Sequence, residues 1–275
     1  MNDYAKPHPT AEDLLEVMRV LRSPEGCPWD REQTRKSLRK CLVEETAELV
    51  DSIDDDDPAG IAEETGDVLM NLMLQSLIGE ENGEFTFADA IRIIYDKMLR
   101  RHPHVFGNAS AENSADVVKL WEKIKAAEPE KAARSSVLDD VPRSLSALSQ
   151  AAKLQKKAAK CGFDWQNAAQ IADKLQEEVD ELRGALAAGD DAEIDAELAD
   201  VLFAAVNLAR FRKTDPEELL RRGNAKFSRR FRHVESRVHN SGRDWSVFTI
   251  DELENFWREA KGMEHPPAVG NQENQ

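Results

Sequence analysis

Apolar residues recur along this chain at three- and four-residue intervals, while strict alternation is almost absent, so the pattern predicts an all-α protein with essentially no sheet. Thr10 opens the first segment, residues 11–22, where Leu14, Leu15, Met18 and Leu21 fall on one stripe. A turn follows in SPEGCPWD, which carries Pro24, Gly26 and Pro28. Residues 31–53 then read as a helix ended by the acidic run before Pro58. Residues 61–78 read as a core-facing helix, with Val68, Leu69, Leu72, Met73 and Leu77 on its apolar face. Residues 87–101 form a helix that must stop at Pro103, and residues 115–127 form another.

The polar stretch EPEKAARSSVLDDVP, with two prolines, is the linker candidate. Beyond it the pattern starts again. Residues 143–160 are helical, and an acidic helical hairpin follows. Thr214 and Glu217 suggest a capping box around Pro216, opening a long helix to about His239. Thr249 and Glu252 suggest a second box, for a last helix ending near Lys261. The expected organisation is a helical repeat at 1–127, a linker at 128–141, a second repeat at 142–263 and a disordered tail at 264–275.

The chain of 275 residues is 41% hydrophobic, enough for cores in two domains of ordinary size. No apolar run approaches the ~18 residues that span a bilayer, and the start lacks a basic segment followed by an apolar one; the expectation is a soluble, cytoplasmic protein without membrane partners. Three cysteines without a C-x-x-C pair point to neither a disulfide framework nor a thiolate zinc site. A net charge of −16 repels nucleic-acid backbone over most of the surface and argues against a general duplex binder. Small phosphorylated ligands stay open, because bound metal and local cations act at contact distance.

Candidate chemistry concentrates between Glu177 and Asp200. Glu177, Glu178 and Glu181 share a helix face at i,i+3 and i,i+4 spacing, as do Glu197 and Asp200 at i,i+3. If Gly189 lets the chain reverse, the two acidic faces oppose one another. One such cluster is ordinarily a solvated face. Here Glu44, Glu45, Glu48, Glu64 and Asp67 repeat all five acids at a constant offset of 133 residues, which drifting surface charge has no reason to hold. Opposed carboxylates without His or Cys favour a hard cation, Mg2+ or Mn2+.

Bases and aromatics repeat as well. Lys97, Arg100, Arg101 and His104 recur as Lys226, Arg229, Arg230 and His233 at an offset of 129, and Trp121 and Lys125 as Trp257 and Lys261 at an offset of 136. Each alone is ordinary helix surface or core. Together with the acids they supply metal ligands, phosphate-binding cations and a surface for a planar ring, as a nucleotide requires.

EExxE followed by ExxD, together with GCPWD, RRHPHVF and LDDVPRSL, closely resembles the MazG family of nucleoside triphosphate pyrophosphohydrolases in its two-repeat form, over nearly the whole chain. The resemblance implies an all-α dimer whose acidic hairpins form four-helix-type metal sites. It implies Mg2+-dependent conversion of nucleoside triphosphates to monophosphates and pyrophosphate, with broad base specificity. By the family's motif, Glu178, Glu181, Glu197 and Asp200 would ligate metal in the second repeat, and Glu45, Glu48, Glu64 and Asp67 in the first. Lys125, Lys226, Arg230 and Trp257 resemble positions that hold phosphate and base.

Hydrolysis between the α and β phosphates also needs a proton acceptor, a role open to Glu177 or Glu178. Lys226 and Arg230, at i,i+4, are placed to stabilise the leaving pyrophosphate. A homodimer is expected because Val201, Leu202, Val206 and Leu208 ask for partner helices, although the two repeats of one chain offer the same solution. The second repeat is expected to dominate catalysis, since Pro103 ends the first basic helix and should leave Lys97 and Arg101 a looser pair. A di-iron carboxylate bundle needs Glu-x-x-His, and no histidine here has an acid three positions before it. A helical adaptor that has lost catalysis but keeps nucleotide or metal binding is the alternative from another class.

Overall fold

The computed structural model describes residue 4, residues 6–126, residue 128 and residues 135–264. The predicted linker therefore lies partly, and the tail almost wholly, outside the described residues. Every described regular element is helical, and the chain divides into two compact units, Met1–Ala132 and Ala133–Gln275. Among the described residues no helix is long and apolar enough to cross a membrane.

In the first unit α1 is Ala11–Arg22, α2 Pro28–Glu32, α3 Leu38–Asp54, α4 Pro58–Glu81, α5 Phe87–Arg101, α6 Pro103–Phe106 and α7 Ser114–Ala126. Thr10 caps α1 in a reciprocal box with Asp13, as its position predicts. The helix expected over 31–53 is split, because Thr34 and Ser37 bond each other's amides and offer the backbone a polar turn instead of a helical one. Helices α3 and α4 pack as a hairpin. The core gathers Leu15 and Met18 of α1, Leu38 of α3, and Met73, Leu74, Leu77 and Ile78 of α4. Only the second half of α4 is thus anchored in apolar packing, and its first half, with Glu64 and Asp67, is left to the hairpin.

In the second unit α8 is Ala147–Lys160, α9 Ala168–Ala188, α10 Asp191–Phe211, α11 Pro216–Ser241 and α12 Ile250–Glu264, with a single 3-10 turn at Trp245–Val247. Helices α9 and α10 form the second acidic hairpin, α8 packs against α10 and α11, and α12 lies along α11. Ile171, Ala204, Val206, Ala209, Val234 and Val238 are buried along these contacts. Val206 is therefore satisfied within the unit, whereas Leu202 is 56% exposed. Helix α12 reaches Glu264, one residue into the expected tail.

The two hairpin turns are built alike. Gly189 reverses the chain at a left-handed φ of 73°, and Asp190 then caps the amides of Ala192 and Glu193. In the first unit Asp56 adopts φ 52° at the equivalent place, and Asp57 caps Ala59. The start of α11 differs from expectation: Asp215, not Thr214, is the cap, its carboxylate accepting from Glu217 and Glu218. A carboxylate at the residue directly before Pro216 reaches the first free amides, which Thr214 does not. Thr249 and Glu252 form the predicted box of α12.

Each unit also ties its basic helix to one carboxylate, Glu128 beyond the end of α7 in the first unit and Glu264 at the end of α12 in the second. Arg101 holds Glu128 at 2.7 Å with help from Arg100, and Arg230 holds Glu264 at 2.6 Å with help from Arg229. Hydrogen bonds from Arg101, then Arg100, pull the Glu128 carboxyl down to about 2. Its folded value is depressed, so the stabilisation is complete above its ordinary value of 4.5 and is lost as pH falls towards 2. In a series of thermal melts, Glu128→Gln should melt below wild type at neutral pH, and the gap should close between about pH 4.5 and pH 2. A gap that stays constant across that range would assign the effect to packing.

Candidate metal centre

The hairpins bring the predicted acids together. In the second unit, carboxylate oxygens of Glu178, Glu197 and Asp200 all lie within 4.8 Å of one another, and in the first unit those of Glu45, Glu48 and Glu64 do so. Glu178 and Glu181 come from α9, and Glu197 and Asp200 from α10, one helical turn apart in each pair. Glu181 lies outside the tight trio but shares a hydrogen bond with Glu178, and Asp67 acts on Glu45 and Glu64 through its charge.

The electrostatics are those of crowded like charges. Burial and then the charges of Glu193, Asp200 and Glu178 push the Glu197 carboxyl above the ordinary range. Burial, Glu48 and Asp67 do the same to Glu64. Glu45 is raised by burial and by Asp67, and Glu181 by its hydrogen bond with Glu178 and by burial. Both units also leave the same atom without a partner: Oε2 of Glu64 and Oε2 of Glu197, residues 133 apart, are buried and accept no hydrogen bond. A buried carboxylate oxygen so placed, beside others within 4.8 Å, fits an oxygen-seeking divalent cation, which would replace repulsion by attraction.

Glu177 sits at the edge. Its side chain is 57% exposed and accepts from Lys174 at 2.7 Å, and the same ammonium reaches Glu178 at 3.0 Å. Sequence reasoning passed over Lys174, although its i,i+3 and i,i+4 relation to the two glutamates was there to read. Glu128 and Glu264 were missed as well, because they meet their arginines only through tertiary packing.

The remaining predicted residues are spread over the basic helices. Lys226 is exposed on α11, and Lys125 is half-buried on α7. Arg230 is engaged with Glu264, with its guanidinium carbon 5.6 Å from the centre of the Trp257 ring. Trp257 also packs against Phe227 at 5.3 Å. The two arginine latches have nearly equal lengths, so Arg101 is held as closely as Arg230 although Pro103 follows it. Pro103 does end α5, but Glu128 restrains Arg101 beyond it. Beside the second acidic set, and partly walled by Glu178 and Asp200, a cavity of about 580 Å³ opens among α8, α9 and α10.

Residues 33–106 and 166–235 both match the family model described as the MazG nucleotide pyrophosphohydrolase domain. The chain is 43% identical over 254 residues to a nucleoside triphosphate pyrophosphohydrolase of Escherichia coli K12, covering 91% of this chain and 97% of that protein. It is 40% identical over 251 residues to the nucleoside triphosphate pyrophosphohydrolase/pyrophosphatase MazG of Thermotoga maritima, covering 91% and 95%. It is also 45% identical over 249 residues to the uncharacterized protein YabN of Bacillus subtilis, covering 90% of this chain and 51% of that protein.

Proposed function

The chain belongs to the MazG nucleotide pyrophosphohydrolase family, and we infer from this that it hydrolyses nucleoside triphosphates to monophosphates and pyrophosphate with a divalent cation, Mg2+ or Mn2+. The observation that carries the reading is the pair of acidic hairpins, each converging three carboxylates within 4.8 Å and each leaving one buried oxygen without a partner. Broad base tolerance and a role in clearing nucleotide pools are part of the same proposal.

Glu178, Glu181, Glu197 and Asp200 would hold the cation in the second repeat, and Glu45, Glu48, Glu64 and Asp67 would be the equivalent set in the first. When bound, the cation neutralises triphosphate charge and makes a water nucleophilic near neutral pH. Glu177 or Glu178 would accept a proton from the attacking water. Lys174, bonded to both, fixes their orientation and limits their repulsion. Lys226 and Arg230 supply positive charge to the triphosphate and the departing pyrophosphate in the second repeat, where Arg230 lies against Trp257, and Lys125 is the candidate cation of the first repeat.

A non-catalytic adaptor that keeps metal or nucleotide binding is separated by one assay. Incubation of a nucleoside triphosphate panel with Mg2+ should give turnover that EDTA removes. Binding without turnover would favour the adaptor.

The functional unit is proposed to be a homodimer that completes four-helix metal sites. Leu198, Leu202 and Phe203 leave α10 as exposed apolar residues, 45%, 56% and 45% accessible, on the helix that carries Glu197 and Asp200. Sedimentation at micromolar concentration should give twice the chain mass of 30.9 kDa. A species of the chain mass alone would rule the dimer out.

A further inference from the structure

The tryptophan and lysine that recur at an offset of 136 bring a third residue with them. Trp121, Lys125 and Glu128 match Trp257, Lys261 and Glu264 at that same offset, a W-x-x-x-K-x-x-E pattern in each repeat. Positions i, i+4 and i+7 share one face of a helix, so α12 presents the ring and the carboxylate together.

Both acids take the same edge of an arginine. Nε and Nη2 of Arg230 donate to Oε2 of Glu264 at 2.9 and 2.6 Å, and Nε of Arg229 donates to Oε1 at 2.8 Å. In the first unit Nε and Nη2 of Arg101 donate to Oε1 of Glu128 at 3.0 and 2.9 Å, and Nη2 of Arg100 reaches the same oxygen at 3.1 Å. Each carboxylate thus bridges two neighbouring arginines whose like charges repel. Among the described residues, Nη1 of Arg230 and Nη1 of Arg101 donate no hydrogen bond. The guanidinium is a planar fork of five N–H donors, so fixing its Nε–Nη2 edge also fixes where the Nη1 side points. Arg230 is further restrained by Trp257, whose ring centre lies 5.6 Å from its guanidinium carbon, and it keeps 12% of its side chain open to solvent.

We propose that Glu264 is a positioning residue: by holding one edge of Arg230 it aims the opposite side of the guanidinium at the phosphate chain. The proposal rests on the reading of the chain as a nucleoside triphosphate hydrolase that uses Arg230 on phosphate. Glu264 itself touches neither substrate nor cation. The contrary role is that of a competitor, a carboxylate occupying the arginine in place of phosphate. The geometry favours positioning, because the acid engages one edge and leaves donors for an anion on the other. The two roles differ in sign. Removing a competitor frees the arginine and raises turnover, whereas removing a positioning group lowers turnover in spite of the added positive charge.

The test is a double-mutant cycle in kcat over Glu264→Gln and Arg230→Ala. Glu264→Gln should lower kcat about ten- to hundredfold, in line with the ~100-fold cost of a displacement of about 1 Å, and change KM by less than about threefold. In the Arg230→Ala background the same change should alter kcat by less than about twofold, because the group it aims is gone. Glu264→Asp keeps the charge but shortens the reach; it should fall between wild type and Glu264→Gln, and it carries the cycle if the glutamine variant does not fold. A second readout needs no turnover. The Arg230 Nε–H signal in a proton–nitrogen NMR spectrum, assigned by its loss in Arg230→Ala, should persist when inorganic pyrophosphate and Mg2+ are added to wild type. A raised kcat in Glu264→Gln, or loss of that signal on adding pyrophosphate, would make Glu264 a competitor and overturn the proposal. An equal drop in kcat in both Arg230 backgrounds would make the latch purely structural and overturn it as well. Failure of the hydrolase reading shows separately, as wild type without Mg2+-dependent turnover, and takes the proposal with it.

Discussion

Glu181→Gln and Asp200→Asn are each expected to lower pyrophosphohydrolysis by roughly 10³-fold or more, while the chain keeps its helical circular dichroism and melts no lower than wild type. The loss would follow from removing a carboxylate proposed to hold the cation, from a set in which three converge within 4.8 Å and Glu181 bonds one of them. The charge stabilisation such a cation lends to a phosphoryl transition state is several kcal/mol, about a factor of ten per 1.4 kcal/mol. Stability should move the other way. Glu181 is raised above the ordinary range by its bond with Glu178, by burial and by the charges of Glu178 and Glu197. An acid with a raised folded value costs stability once pH exceeds that value, and the cost disappears as pH falls. A neutral glutamine therefore relieves the apoprotein at pH 7. Wild-type turnover in either variant would remove these residues from the mechanism, and a collapse of helicity would show that the cluster serves the fold.

The second large effect separates the repeats. Glu181→Gln should eliminate activity across several triphosphates, and Glu48→Gln should leave most of it. Both acidic sets are present, so the ligands do not decide this. The basic helices do not decide it either, because Arg101 and Arg230 are latched at 2.7 and 2.6 Å. The expectation leans on the surroundings of the second set, where a cavity adjoins Glu178 and Asp200. Room beside a cation site lets the nucleoside seat the triphosphate accurately, and misplacement of about 1 Å costs ~100-fold in rate. If Glu48→Gln is the variant that abolishes turnover, the working site lies in the first repeat.

Much of this was legible in the sequence because it is local. The i,i+3 and i,i+4 acids, Gly189 as a left-handed turn, Thr10 as a helix start, the Thr249 box and the Pro103 stop all follow from spacing within one or two turns of helix. The 133-residue offset extends that legibility to the duplicated cluster. Where polar side chains compete with helical bonding, the pattern misled: Thr34 and Ser37 split one predicted helix, and Asp215 took the cap assigned to Thr214. The Glu128 and Glu264 latches join residues 27 to 35 positions apart through packing, beyond the reach of periodicity. The cavity was illegible for a further reason. A periodic pattern records which residues face inward, and Gln155 and Asn207 do so, but not whether facing helices fill the space between them.

The central claim is tested most directly by the products formed from a panel of nucleoside triphosphates in Mg2+, resolved by phosphorus NMR. The account predicts nucleoside monophosphate and pyrophosphate in equal amounts, from wild type and not from Glu181→Gln. Release of orthophosphate with nucleoside diphosphate would contradict it.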